Sequence, residues 1–541
     1  MKFSLAKVKL PSLVNSLFAV ISAVLLTLSF PDFDLWFLAW FALVPLFFAI
    51  EREKESFVKS FVLGWIFGAS FFFGTCWWLT FAPITYGGVP ALIAYFLLLM
   101  AALAAGLFPA IFGACFSLVL KRFGTRAILS APFLWTAVEF LRFNLTGNNW
   151  NAIGYSQAFT HALIQTAQYG GVYLTGFWIV FFNSGIAVVF ISILQIFTQN
   201  DELRSNIKVG KYGLFSVLLF TILILPFAFS HNFNLPANSS SEIESIIVAV
   251  QPNVPMNGLK YEDWLRLRER HVKLAENVLQ KLNEQPTTDH RAPTTVIFPE
   301  SPMNFQFEND REFQEFIKDF AIKNNVSILF NSAEPNLRGD NFYNSAVMIN
   351  SSGEKVAQYD KIHLVPFGEY VPLPEPVAQF VPSMVGNFQY GSEYDLLPFG
   401  EAKGGIMICF ESHFPSLSRE FVRNGADVII EMTNDGYLGE TPVLRQHLAN
   451  AIFRAVETNR PVLRVTNVGV TAFINERGEV IDAAKSYSED TRVWTISKSP
   501  ANQTFYVKYG EWFAWLCSLV SLGLLSICFW KKKNLPPREH M

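Results

Sequence analysis

Charge is scarce in this chain. Of its 541 residues only 16% are Asp, Glu, Lys or Arg, while 51% are hydrophobic and 54 are Phe. An average soluble protein carries roughly 25% charged residues, so part of the chain is expected in lipid. An excess of positive charge is also missing. The formal net charge is -3, which argues against a nucleic-acid partner bound through phosphate neutralisation. There is no CxxC pair, no GxxxxGK[ST] and no HExxH, so metal and nucleotide chemistry lack support and no cofactor is expected. Cysteine is rare as well, with five in all. The number is odd and the positions form no framework, so disulfides are not expected to organise the fold. Cys76, Cys115, Cys517 and Cys528 lie in apolar runs; Cys409 alone lies in a polar region.

What is abundant is apolar sequence in long runs. A chain of this length suggests two or more domains. Stretches near spanning length recur at about 12–30, 34–50, 56–80, 88–120, 125–143, 170–197, 212–230 and 511–530. A helix needs ~20 apolar residues to cross the hydrocarbon core, and eight spans are expected. Lys2, Lys7 and Lys9 precede the first stretch. Arg52, Lys54 and Lys59 follow the second; Lys121, Arg122 and Arg126 the fourth; Arg204, Lys208 and Lys211 the sixth; Lys531, Lys532 and Lys533 the eighth. The alternate loops 31–33, 81–87 and 144–169 contain no Lys or Arg. This pattern puts both termini in the cytoplasm and residues 231–510 on the far side. Phe30-Pro31-Asp32 leads straight into another apolar stretch with no small-residue cleavage site, so the first stretch is not expected to be a removed signal peptide. The expected layout is a bundle of about seven transmembrane helices over 1–230, a catalytic domain over 244–500, a final transmembrane helix over 511–530 and a cytoplasmic tail over 531–541.

The middle of the chain differs in kind. Short β-rich runs recur: IESIIVAV (243–250), TTVIF (294–298), VSILF (326–330), SAVMIN (345–350), GGIMI (404–408), ADVIIEM (426–432) and PVLRVT (461–466). Amphipathic helical stretches at 262–283, 310–323 and 442–458 lie between several of them, which predicts layered α/β structure. PANSSSE (236–242) is the nearest thing to a linker.

Three polar residues stand beside predicted strand ends, where sites of α/β folds often lie. Glu300 follows TTVIF through Pro299. Lys361 opens the loop of DKIHLVPFGEYVP (360–372). Cys409 caps GGIMI. A nucleophilic cysteine needs a base to take its proton and a cation or N–H groups for the oxyanion. Glu, Lys and Cys together supply that set. Taken singly, each has a bland reading: a packed core thiol, a helix-cap or solvated glutamate, a surface lysine.

FPES (298–301), DKIHLVPFGEYVP and ICFE (408–411), in that order, resemble the Glu–Lys–Cys signature of the nitrilase superfamily. The apolar layout, GYSQ (154–157) in an outer loop, QPNVP (251–255), TND (433–435) and QHLANAIFRAVETNRPVLRVTNVGVTAFI (446–474) extend the likeness over nearly the full length, to the apolipoprotein N-acyltransferase family, membrane-embedded members of that superfamily. The resemblance implies a multi-span α-helical membrane bundle plus an α/β nitrilase-like domain, an α-β-β-α sandwich, outside the cytoplasm. It implies a bacterial inner-membrane enzyme that completes lipoprotein maturation. A phospholipid would donate the acyl group and a diacylglyceryl-modified apolipoprotein would accept it. It makes Glu300 the general base, Lys361 the oxyanion-stabilising cation and Cys409 the nucleophile, with no metal. It implies that Glu369 holds Lys361, that Phe410 and Glu411 support the site with the Phe410 N–H a candidate oxyanion donor, and that Tyr261 belongs to its surroundings. Phe410 stands where Tyr is common, Tyr261 where Trp is often found, and Gly436-Tyr437-Leu438 where an aromatic pair is usual. His363 and His447 are expected to be structural. Two rival classes share part of this pattern. One is a membrane-tethered nitrilase-type amidase acting on a small amide. The other is a transporter or receptor with an outer binding domain, for which the few intramembrane charges, Glu139 and Arg142, speak poorly.

Overall fold

The computed structural model describes residues 10–198, 203–229, 242–256, 261–284, 292–300, 305–336, 341–366, 368–371 and 388–530. The N-terminal lysines, most of the 236–242 linker and the tail 531–541 lie outside the described residues. The chain divides into two compact units, Met1–Phe233 with Glu511–Met541, and Asn234–Gly510.

The first unit is helical. Among the described residues four helices are long and apolar enough to cross a membrane: Phe57–Thr75, Ala91–Phe123, Ala167–Phe197 and Trp512–Trp530. Leu13–Leu28 and Val209–Ile222 are shorter apolar helices. Glycine sets how closely they pack. A methyl group on Gly64 would stand 2.2 Å from the Pro109 carbonyl oxygen, and one on Gly113 would stand 2.4 Å from that of Ser60. Small residues let backbones touch where lipid offers no hydrophobic drive for association.

The apolar stretch 34–50 departs from expectation. It forms a 3-10 turn, Trp36–Trp40, and a nine-residue helix, Val44–Arg52, which is too short to span. Buried polar groups hold the break between them. Asn183 Nδ2 donates to Ala39 O at 2.9 Å, and Asn183 Oδ1 accepts from Leu43 N at 2.9 Å. GYSQ is likewise no open loop: it is a buried 3-10 turn, Ile153–Gln157. Trp40 Nε1 donates to Gln157 Oε1 at 3.1 Å, and Gln157 Nε2 donates to Trp36 O at 3.1 Å. Glu139 and Arg142 serve the same region. Glu139 accepts from Ile153 N at 2.9 Å, and Arg142 donates to Trp150 O at 3.1 Å. Both charges therefore satisfy irregular backbone, the condition on which such backbone is tolerated in lipid.

The second unit holds thirteen strands among the described residues: β1 (Ile243–Gln251), β2 (Thr294–Ile297), β3 (Ser327–Pro335), β4 (Phe342–Ile349), β5 (Lys355–Asp360), β6 (Phe388–Gln389), β7 (Leu396–Phe399), β8 (Ala402–Ile408), β9 (Val428–Thr433), β10 (Val462–Thr466), β11 (Ala472–Ile474), β12 (Val480–Ile481) and β13 (Asp490–Ser497). They form two sheets, β13-β1-β2-β3-β4-β5 with β6 beside β4, and β12-β11-β10-β9-β8-β7. All seven sequence-predicted strands are present. The three predicted helices are Tyr261–Glu284, Arg311–Asn324 and Val443–Thr458. Alternation alone did not reveal the short or half-exposed β5, β6, β7, β11, β12 and β13.

The sheets meet face to face. Gln251 Oε1 on β1 accepts from Thr466 Oγ1 on β10 at 3.2 Å. Helices Tyr261–Glu284 and Arg311–Asn324 cover the first sheet through a core that includes Val248, Val296, Phe313, Phe320 and Phe330. Pro415–Arg423 and Val443–Thr458 pack against the second sheet. The result is the expected α-β-β-α order. The glycine pair of GGIMI now has a cause: a methyl on Gly405 would stand 2.5 Å from Phe421 Cβ, and one on Gly404 would stand 2.6 Å from the Phe399 ring.

Candidate active site

Glu300 stands three residues beyond β2, whose path continues through Phe298 N donating to Leu329 O at 2.9 Å. Lys361 is the first residue after β5, and its N–H donates to Asn344 O at 2.9 Å. Glu369 follows in a tight turn, with its N–H donating to Val365 O at 2.9 Å. Cys409 is the first residue after β8 and opens a 3-10 turn, Cys409–His413, with φ at 54°. A non-glycine residue in that left-handed region is strained by about 1–3 kcal/mol, a feature that clusters at functional sites.

Lys361 is buried, and its Nζ lies 2.9 Å from Glu369 Oε1 and 3.5 Å from Glu300 Oε1. Burial works against its charge, but the Glu369 and then the Glu300 carboxylates outweigh burial and raise its pKa above the ordinary lysine value. It is a fixed cation at any physiological pH. Glu369 Oε2 also accepts from Val365 N at 2.7 Å, so this carboxylate is held from both ends. The Cys409 thiol is pushed well above its usual pKa, first by burial and then by Glu300, while Lys361 opposes. The resting sulfur is therefore a thiol under the influence of the Glu300 carboxylate, in a residue that is half-buried overall.

Glu411 is buried and accepts four hydrogen bonds: Tyr359 Oη at 2.8 Å, Ile362 N at 2.7 Å, His363 N at 3.0 Å and Ile408 N at 2.8 Å. It thus ties the Lys361 loop to the Cys409 turn. Burial raises its carboxyl to about 7 against the donors that favour the charge. Phe410 stacks on His413 with ring centres 5.3 Å apart and planes 16° apart. As an opening amide of the turn, the Phe410 N–H has no acceptor within it. His363 stacks on Phe414 at 3.9 Å, and burial lowers its pKa to about 4. It is a neutral packing group. Tyr261 begins the helix Tyr261–Glu284, and its side chain lies outside the described residues.

Sequence reasoning missed Asn344. Its Nδ2 donates to Glu369 Oε1 at 2.5 Å and to Glu300 Oε1 at 3.1 Å, and its Oδ1 accepts from Asn331 Nδ2 at 2.7 Å. One amide thus spaces the two carboxylates and is itself oriented. Also missed were Glu431 and Arg464. They sit opposite one another across the parallel pair β9–β10, and Arg464 Nη1 lies 2.5 Å from Glu431 Oε2. The signal was legible: ADVIIEM and PVLRVT each carry one charge inside an apolar run, and a buried charge demands a partner. Among the described residues no group of three or more His, Cys, Asp or Glu could hold a metal ion.

A two-sheet α-β-β-α sandwich that gathers a glutamate, a buried lysine and a cysteine from just beyond the ends of β2, β5 and β8 is a domain of the nitrilase type. Residues 290–504 match the carbon-nitrogen hydrolase family, and residues 22–185 match the apolipoprotein N-acyltransferase N-terminal domain. The chain is 30% identical over 521 residues to apolipoprotein N-acyltransferase of Geobacter metallireducens, with 95% of each chain covered. It is 29% identical to apolipoprotein N-acyltransferase 1 of Treponema denticola (95% of this chain, 96% of the relative) and 28% identical to the enzyme of Thermotoga maritima (94% and 93%). This chain belongs to the apolipoprotein N-acyltransferase family. Among solved structures, an amidase of the nitrilase superfamily from Nesterenkonia matches with a TM-score of 0.35 and 14% identity, over 49% of this chain and 94% of that one. A branch 10 member of that superfamily from Saccharomyces cerevisiae matches with a TM-score of 0.35 and 18% identity, over 48% and 93%.

Proposed function

We propose that this chain transfers an acyl group from a phospholipid to the α-amino group of the diacylglyceryl-cysteine that begins an apolipoprotein, by ping-pong chemistry through a thioester on Cys409. The observation that carries this reading is the shared cation: one buried Lys361 ammonium stands between Glu300 and Glu369, beside a thiol. In the first half-reaction the Cys409 sulfur attacks the sn-1 ester carbonyl as Glu300 takes the thiol proton. Lys361 and the Phe410 N–H stabilise the oxyanion. The S–C bond forms, the ester C–O bond breaks, and the proton passes from Glu300 to the leaving lysophospholipid oxygen. In the second half-reaction the lipoprotein amine attacks the thioester. The N–C bond forms, the C–S bond breaks, and the amine proton returns through Glu300 to the thiolate. The reaction needs no nucleotide, because the ester supplies the driving force.

The raised thiol pKa suits this sequence. A thiol that ionises only when its proton moves to Glu300 stays unreactive until substrate is seated. The charge pattern of the loops supports a multi-pass protein of the bacterial inner membrane with both termini cytoplasmic and a periplasmic catalytic domain over 244–500. In this layout 1–230 is the bundle, 511–530 the last span and 531–541 the cytoplasmic tail. Holding the catalytic domain at the bilayer raises the effective concentration of two lipid-anchored substrates.

The test is intact-protein mass spectrometry after incubation with phosphatidylethanolamine. The expected result is an acyl-sized mass increase on Cys409, absent in Cys409→Ala, and discharged by a diacylated lipopeptide amine. An adduct discharged by water as fast as by the amine would make the protein an amidase-like hydrolase instead.

A further inference from the structure

Behind the Cys409 turn lies a second charged cluster for which the transfer chemistry has no use. The helix Val443–Thr458 is buried along nearly its whole length, and it grips the turn at two carbonyl groups. His447 Nε2 lies 3.1 Å from Cys409 O, and Arg454 Nη1 donates to Ser412 O at 3.2 Å. The seven-residue spacing of His447 and Arg454 puts both on one helix face. On its other side the His447 ring meets Asp435, with Nδ1 2.7 Å from Oδ1, while Nε2 is also 3.2 Å from Glu431 Oε1. The charged and titratable groups facing the ring are therefore Cys409 from the turn after β8, Glu431 from β9, Asp435 from the turn after β9, and Arg464 from β10. Arg464 Nη2 lies 2.7 Å from Asp435 Oδ2.

Chemistry decides the proton count on this ring. A carbonyl oxygen only accepts, and so does an ionised carboxylate. Nε2 meets Cys409 O and Glu431 Oε1, both acceptors. Nδ1 lies 3.3 Å from the donor Arg464 Nη2 but only 2.7 Å from Asp435 Oδ1, and the shorter contact to an ionised carboxylate requires a proton on Nδ1, so both nitrogens donate and the ring is an imidazolium. The charges then close. Glu431 and Asp435 contribute two negative charges, and Arg464 and His447 contribute two positive ones. A neutral ring would leave one uncompensated negative charge buried against the nucleophile, an expensive state and one opposed to thiolate formation.

We propose that His447 is the positioning residue of the nucleophile, donating from Nε2 to the Cys409 carbonyl and from Nδ1 to Asp435, so that it holds the left-handed turn and cancels the charge behind the thiol. His447 touches no substrate and moves no proton. It fixes where the sulfur points, and it removes a negative field that would oppose ionisation. The inference rests on Cys409 being the nucleophile.

The experiment follows adduct formation from phosphatidylethanolamine in detergent-solubilised full-length protein. It is run alongside the pH dependence of iodoacetamide alkylation mapped to the Cys409 peptide. Cys409→Ala comes first: loss of both adduct and transfer upholds the nucleophile, and retained transfer sinks that reading whatever His447 does. For His447→Ala the expected result is acylation slower by on the order of 10²-fold, as for a reacting atom displaced by about 1 Å. The alkylation midpoint should rise by about one pH unit. His447→Gln restores a donor near the Nε2 position and should recover about tenfold of that loss. Adding Asp435→Asn to His447→Gln restores the charge balance and should return the alkylation midpoint toward wild type. An unmoved midpoint in His447→Ala, with acylation falling only in step with folded protein by circular dichroism, would mean a merely structural histidine. A double variant no better than His447→Gln would overturn the charge argument.

Discussion

A pair of carboxylates stands on each side of the Cys409 turn, Glu411 within the turn apart, and the two pairs are put to opposite ends. In front, Glu300 and Glu369 share one cation, Lys361, and one amide, Asn344. Behind, Glu431 and Asp435 share two cations, Arg464 and His447. The front cluster therefore carries a surplus negative charge, and Glu300 is its more exposed member. The back cluster is neutral and buried. Against the burial penalty, Arg464 and then His447 hold the Glu431 and Asp435 carboxyls below the usual range. The same residue types thus make a reactive face or a scaffold according to how many cations they share.

Removing the shared cation should have the largest effect. Lys361→Met leaves two carboxylates facing each other with no counter-charge. Acyl transfer measured with a lipopeptide acceptor should fall by about 10³-fold, with the protein still folded because the two carboxyls can share a proton. Loss of folding instead would make Lys361 as structural as Arg464 and erase the contrast.

The back cluster should show itself through pH. Against burial and Arg464, the Asp435 and Glu431 carboxylates raise His447 to about 9, above its ordinary value of ~6.5. Its contribution to stability is therefore fully present below about pH 6.5 and is lost as pH rises through about 9. The loss should be on the order of 3 kcal/mol. The thermal midpoint should fall across that window in the wild type and stay flatter in His447→Gln. Parallel curves would show the cluster to be unbalanced.

Asn344→Ala tests the spacing of the front pair. It removes the donor common to Glu300 and Glu369 and should lower kcat by on the order of tenfold with KM little changed. A larger change in KM than in kcat would assign Asn344 to substrate contact. The smallest effect is expected from Phe410→Tyr. The ring is already stacked on His413, and an added hydroxyl should change transfer by about twofold at most.

Much of this was legible in the linear chain. Two of the three proposed reactive residues, Glu300 and Cys409, follow the apolar runs that become β2 and β8, whereas Lys361 follows β5, whose half-exposed sequence carried no strand signal. What was not legible required register. Asn344 reaches Glu300 across 44 residues, and Glu431 meets Arg464 only because β9 and β10 pair in parallel. The stretch 34–50 read as a span because its composition is apolar. The Asn183 side chain that interrupts it comes from 140 residues away.

By itself the sequence determined the apolar segments, the seven strongly patterned strands and the helices between them, and the identity of the groups that could react, since these follow from local periodicity and side-chain chemistry. Tertiary structure decided which carboxylate is spare and which is balanced. It also decided that Cys409 takes a left-handed backbone and that His447 must carry two protons. Those properties belong to distances between distant segments, and a charge has no fixed role until its neighbours are counted.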